Sequence, residues 1–170
     1  LIAALAKAGK VASGAVALSE AEMKSTVADV LAQGDAARGE QVFRRKEMQC
    51  LNCHAIAGAG GQVGPGLESI GASAQVDYLV DSLLQPSKQV KEGYHALTIA
   101  TDDGRVLTGI KLRDDDKEVA LRDAEGREVA VPAKSVEEKK EAGSLMPVGL
   151  TETLTRGEFL DLVWFLSEMG

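Results

Sequence analysis

Apolar positions along this chain recur with a helical period in some stretches and alternate in another. Ser19 and Glu22 stand in capping-box register, followed by Met23, Val27, Val30 and Leu31 on one stripe, and Gly34 stops the pattern. With the alanine-rich run before it, residues 1–34 read as two helical pieces. Asp35 caps a further helix over about 36–50, with Val42 and Phe43 on its apolar side. Gly39 lies inside that helix, where a glycine costs about 1 kcal/mol and commonly marks a close helix crossing. Ser73 opens a helix over 74–84 with the stripe Val76, Leu79, Val80 and Leu83, closed by Pro86. Thr155 and Glu158 form a second capping box, ahead of a helix over 156–168. Its stripe is Phe159, Leu162, Val163 and Leu166, broadened by Trp164 and Phe165.

Between the last two helices the period changes to two. The run from His95 to Thr101 alternates, Asp102-Asp103-Gly104 turns it, and Val106 to Leu112 returns. A third strand runs from Val119 to Arg122, and after Glu125-Gly126 a fourth runs from Glu128 to Val131. Leu97, Ile99, Val106, Ile110, Leu112, Val119, Leu121, Val129 and Val131 are the expected apolar layer of this small antiparallel sheet. The charged run 135–142 reads as a solvated connector.

Composition adds the class and narrows the partners. The chain has 170 residues, of which 45% are hydrophobic and 26% charged, as in globular proteins. A net charge of −7 argues against a nucleic-acid partner. No stretch of 18 apolar residues is present, so no membrane span is expected in this chain. Residue 1 is Leu, which reads as a trimmed start with any leader or upstream domain out of view.

The decisive chemistry is five residues long. Cys50-Leu51-Asn52-Cys53-His54 is a C-x-x-C-H string, the attachment signature of a c-type haem. Each thiol adds to one haem vinyl group, a helical turn brings positions i and i+3 to one side, and His54 becomes the proximal iron ligand. Three other readings compete. A redox C-x-x-C pair belongs in a strand–helix unit, whereas a glycine-rich loop follows here. A zinc site needs four ligands and would have to recruit the distant His95. A disulfide across two residues is strained and leaves His54 unexplained.

A haem held by one histidine needs a second axial ligand. Met48 lies too close to Cys50 to reach round the ring, Met23 precedes the haem region, and Met169 sits at the C-terminus. Met146 lies in the irregular segment Gly143–Leu150 before the last helix and is the expected sixth ligand. His95 is the rival, at the start of a strand. The free N–H of a ligating histidine is usually held by an acceptor, and the Pro65 carbonyl in Gly64-Pro65-Gly66-Leu67 is the expected one.

Taken together, Gly39 and Phe43, the motif from Cys50 to His54, Gly64-Pro65-Gly66-Leu67, Met146-Pro147 and Leu162–Leu166 resemble a class I cytochrome c over about residues 35–93 and 143–170. The resemblance implies a mainly α fold in which Gly39, Phe43 and Phe165 fill the crossing of the first and last helices. One departure is large: Met146 lies 92 residues beyond His54. Removing residues 94–142 leaves a separation natural to that fold. The chain is therefore more closely similar to the C-terminal haem-binding domains of planctomycete dehydrogenase-like proteins, which carry such a β-rich insert between haem motif and methionine loop. That likeness implies a cytochrome c domain over 35–170 with its insert at 94–142, and a helical tail of an upstream region at 1–34.

The implied function is one-electron transfer by a single covalent haem c with His54 and Met146 as axial ligands. Electrons would come from a redox partner protein or a fused upstream dehydrogenase, in the periplasm or an equivalent extracytoplasmic compartment. No nucleophile–base pair suggests an enzyme. The alternative is a sensor or peroxidase-like haem domain with a displaceable methionine, for which His95 and Arg105 are the conceivable distal groups. A third reading makes the sheet an interaction module. The insert is expected on the methionine side, narrowing solvent access to the haem.

Overall fold

A computed structural model describes residues 17–170, so the first alanine-rich piece expected within 1–34 lies outside the described residues. The helices are α1 (Glu20–Gln33), α2 (Ala36–Phe43), α3 (Cys50–Cys53), α4 (Ile70–Ser73), α5 (Val76–Leu84) and α6 (Arg156–Ser167). The strands are β1 (Ala55–Ile56), β2 (Ala59–Gly60), β3 (Ala96–Thr101), β4 (Val106–Asp114), β5 (Glu118–Arg122), β6 (Glu128–Pro132) and β7 (Val136–Gly143). The described residues form two compact units: 17–48 with 69–88 and 147–170, and 49–68 with 89–146.

The first unit is helical. Both capping boxes form, Ser19 with Glu22 at α1 and Thr155 with Glu158 at α6, so each helix starts where its first orphan N–H groups find acceptors. Helix α2 packs most closely on α6. Gly39 makes this approach possible, because a Cβ there would lie 2.0 Å from the Asp161 carbonyl oxygen and 2.6 Å from Phe165 Cβ. Phe43 and Phe165 meet beside it with ring centroids 5.6 Å apart, worth about 1 kcal/mol beyond the area they bury. Asp161, 5% exposed, accepts from the Asp35 amide at 2.9 Å and from Arg38 Nε and Nη2 at 2.7 and 2.8 Å. One carboxylate thus joins α6 to both the cap and the first turn of α2. The second piece of the expected 1–34 tail packs into this unit: Val30 of α1 is fully buried, and Gly34 lies against Trp164.

Helix α2 is shorter than its sequence pattern. It ends at Phe43, a 3-10 turn follows over Lys46–Met48, and Gln49 adopts φ 54° before α3 begins. Ser73 closes α4 rather than opening the next helix, whose cap position is Gln75.

The second unit holds a five-stranded antiparallel sheet in the order β6-β5-β4-β3-β7. Leu97, Ile99, Val119, Leu121 and Val131 form its buried layer, with Leu107 and Val136 packed against it. Two sequence expectations change here. Ile99 pairs with Leu107, so Leu107 shares its face and Val106 falls on the opposite one, where it is 64% exposed. The charged run is also no connector: it is strand β7, paired to β3 through partners such as Ile99 with Lys139. Beyond Val136 this edge strand is solvated up to Gly143 and needs no apolar alternation, and its charges discourage further strand addition.

That fifth strand overturns the mainly α class. Helices hold 37% and strands 24% of the described residues, so the chain is mixed α and β rather than a helical cytochrome c fold bearing a small insert.

Candidate functional site

The motif residues lie in the second unit, on a segment with almost no regular structure. Helix α3 is a single turn carrying Cys50 and Cys53 at its two ends, and His54 is its C-cap with an extended backbone. Two non-glycine residues with positive φ bracket the motif, Gln49 at 54° and Ala57 at 50°. Such conformations cost about 1–2 kcal/mol each and persist only where the surroundings impose them.

The chain after His54 folds back over the motif. Strands β1 and β2 make a minimal hairpin, pairing Ala55 with Gly60. The Gly61 amide then donates to the Leu51 carbonyl at 2.8 Å, and the Gly64 amide to the Cys53 carbonyl at 2.7 Å. Closeness requires a glycine at 61, against backbone, and favours one at 64, against a side chain. A Cβ on Gly61 would lie 1.9 Å from the Asn52 carbonyl oxygen, and one on Gly64 would lie 2.5 Å from His54 Cε1. The loop therefore lies directly against the imidazole, and its next residue holds the ring. His54 Nδ1 donates to the Pro65 carbonyl oxygen over 2.8 Å. With Nδ1 bearing the proton, Nε2 is left as the basic, metal-binding nitrogen. Burial pulls the imidazole below the ordinary histidine range, against the opposing pull of the Pro65 carbonyl, which keeps it in the neutral form a metal needs.

The two thiols are half-buried and joined by no disulfide. Burial pushes the Cys50 thiol up to about 11 and raises Cys53 as well. This is the reverse of a thiol–disulfide catalyst, whose attacking cysteine has a lowered pKa. Among the described residues, no three His, Cys, Asp or Glu side chains are grouped to hold a bare metal ion, so the zinc alternative lacks its donor set.

Met146 follows β7, half-buried, with its amide donating to Ser144 Oγ at 3.1 Å. It belongs to the same unit as Cys50, Cys53, His54 and Pro65. Met48 is 2% exposed in the core of the helical unit. His95 is exposed immediately before β3, and exposed Arg105 pairs with Asp103 at 2.8 Å in the β3–β4 turn. The peroxidase-type alternative would have to draw on these two.

The sequence did not single out Gly61, Gln62 or Arg122. Gly61 is one of a run of glycines with nothing local to mark its contact. Arg122 reaches the loop from 60 residues away, donating from Nη1 to the Gln62 carbonyl at 3.0 Å. No family model matches the sequence, and no curated protein matches it at a significant level. No helix among the described residues is long and apolar enough to cross a membrane.

Proposed function

We propose that the chain is a one-electron carrier built to hold a single covalent haem c: a c-type cytochrome in its chemistry, on a mixed rather than mainly helical fold. The observation that carries this reading is the 2.8 Å bond from His54 Nδ1 to the Pro65 carbonyl, made directly beside two thiols spaced for thioether formation. The residues fit the group in three respects. The thiols stand on one helical turn, the imidazole is neutral with Nε2 as its ligating atom, and Gly64 places no side chain against the ring. When bound, haem iron exchanges single electrons between its ferrous and ferric states.

Cys50 and Cys53 would tether the group, His54 would supply one iron ligand through Nε2, and Pro65 fixes that ligand's tautomer and ring angle. Met146 would supply the second ligand, and its thioether would favour the reduced state over what an imidazole would give. With His54 and Met146 both engaged, the group would offer substrate no open site. The physiological partner is then a redox protein or a fused dehydrogenase domain, in an extracytoplasmic compartment where thioether attachment takes place.

The test is haem staining of the chain on a denaturing gel after expression with a c-type haem maturation system. Wild type should stain at its own band, and the C50A/C53A double variant should lose the stain entirely. In the stained protein, Met146→Ala should admit carbon monoxide to the reduced form, and Met146→His should lower the potential. Haem that stays bound through denaturation in the double variant refutes the tether, and an unchanged Met146→Ala spectrum refutes the distal ligand.

A further inference from the structure

The loop that orients His54 is held on two sides. Toward the motif, Gly61 and Gly64 bond to the Leu51 and Cys53 carbonyls at 2.8 and 2.7 Å. Away from it, the two residues between those anchors meet the sheet. Arg122 Nη1 donates to the Gln62 carbonyl at 3.0 Å. Val63, 3% exposed, faces the β5–β6 turn, where a methyl built on Gly126 would lie 3.7 Å from its Cγ2.

The sheet end that makes these contacts is itself fixed. Arg122 pairs with Ile110 of β4 and Glu128 of β6, so its backbone is held from both neighbouring strands. Gly109 lets β4 close on it, since a Cβ there would lie 2.5 Å from the Arg122 carbonyl oxygen. The following turn is organised by Asp123, which accepts from the Glu125 and Arg127 amides at 3.0 and 2.8 Å. Gly126 completes that turn with φ 81°, a conformation glycine adopts without strain. The neighbouring arginines serve carboxylates: Arg113 pairs with Glu118 and Glu128, and Arg127 with Asp123 and Glu125. Arg122 instead donates to a main-chain carbonyl of the haem-side loop, three residues before the Pro65 carbonyl that holds His54.

We propose that Arg122 is a positioning residue for His54, through which the sheet braces the 61–65 loop and thereby sets how tightly Pro65 holds the imidazole. This rests on the haem reading above. It also gives the sheet a role on the proximal side, where the sequence pointed to the methionine side. A loop braced from a paired strand keeps its carbonyl in place while the iron changes charge, and a slack one lets the Nδ1–H bond lengthen. A weaker bond makes the imidazole a poorer donor and favours ferrous iron.

The test uses the full chain as isolated, in wild-type, Arg122→Ala, Arg122→Lys and Arg113→Ala forms. Amide hydrogen exchange is read at Gly61 and Gly64, whose amides are bonded to the motif, against the sheet-core amides of Ile99 and Val119, which report general loss of stability. Arg122→Ala should speed exchange at Gly61 and Gly64 about tenfold relative to the core amides, Arg122→Lys should restore most of the protection, and Arg113→Ala should leave the ratio unchanged. In the haem-loaded chain, Arg122→Ala should shift the reduction potential positive by about threefold in the redox equilibrium, roughly 28 mV at 59 mV per tenfold, with Arg122→Lys closer to wild type. Unchanged exchange at Gly61 and Gly64 in Arg122→Ala overturns the brace. Faster exchange with an unmoved potential overturns the positioning of His54 while leaving the haem reading intact. A wild-type chain that takes up no covalent haem overturns the haem reading, and the role of Arg122 with it.

Discussion

The two units of this chain use the same small residue to opposite ends. In the helical unit, Gly39 removes a side chain so that two helix backbones meet, and what it protects is packing around Phe43 and Phe165. In the other unit, Gly64 removes a side chain so that a loop can lie on an imidazole, and what it protects is the orientation of one ring. The neighbouring atoms show the difference. Around Gly39 they belong to backbone and to a side-chain base that cannot move, and around Gly64 they belong to the far end of a side chain that can. The first arrangement stores stability, the second stores chemistry, and substitution should separate them.

The largest effect should come from Gly39→Val. It drives a branched side chain into the Asp161 carbonyl and should cost about 3 kcal/mol in urea or thermal unfolding, while the His54 environment in the folded protein stays as it is. If Gly39→Val melts like wild type, the crossing is looser than described.

Asp161→Asn should come next, at about 2 kcal/mol near neutral pH, because the Arg38 guanidinium and the Asp35 amide lose a charged acceptor. The hydrogen bonds from Arg38 hold the Asp161 carboxyl below the ordinary range. A depressed folded-state pKa stabilises the protein above the unfolded carboxylate value of about 4, and that contribution fades as pH falls through the folded value. The gap between wild type and Asp161→Asn should therefore be full at pH 7 and shrink progressively below about pH 4. A gap that stays constant with pH would assign the loss to shape rather than charge.

Gly64→Ala should have the smallest effect on stability, about 1 kcal/mol, because the His54 ring is a side-chain end that can shift at the expense of its bond to Pro65. Its consequence should appear at the ligand instead. In the haem-loaded chain the ring resonances of the axial histidine should shift and the potential should move, with the melting curve nearly unchanged. The reverse pattern, a large stability loss with an undisturbed histidine, would erase the contrast between the units.

What was legible in the sequence divides along similar lines. Capping boxes declare helix starts through side chains three residues apart, and both are legible because the signal and the structure are equally local. The four strands bounded by turn residues are legible for the same reason. Strand β7 is not, because its stability comes from β3 across a ladder, while most of its side chains are charged and solvated and carry no period. The face of Val106 is not legible either, because alternation gives the period and only the pairing of Leu107 with Ile99 gives the phase. At the site, the motif and the Pro65 acceptor are close enough in sequence to be inferred from chemistry. The bond from Arg122 to Gln62 joins residues 60 apart and leaves no mark in either neighbourhood.

The proposal that Cys50 and Cys53 carry one haem by thioether bonds is tested most directly by the intact mass of the denatured chain after expression with a c-type haem maturation system. A single species heavier than the polypeptide by one haem is expected, returning to the bare polypeptide mass in the C50A/C53A variant. A wild-type chain recovered only at the polypeptide mass, from cells that load a known c-type protein in parallel, would contradict it.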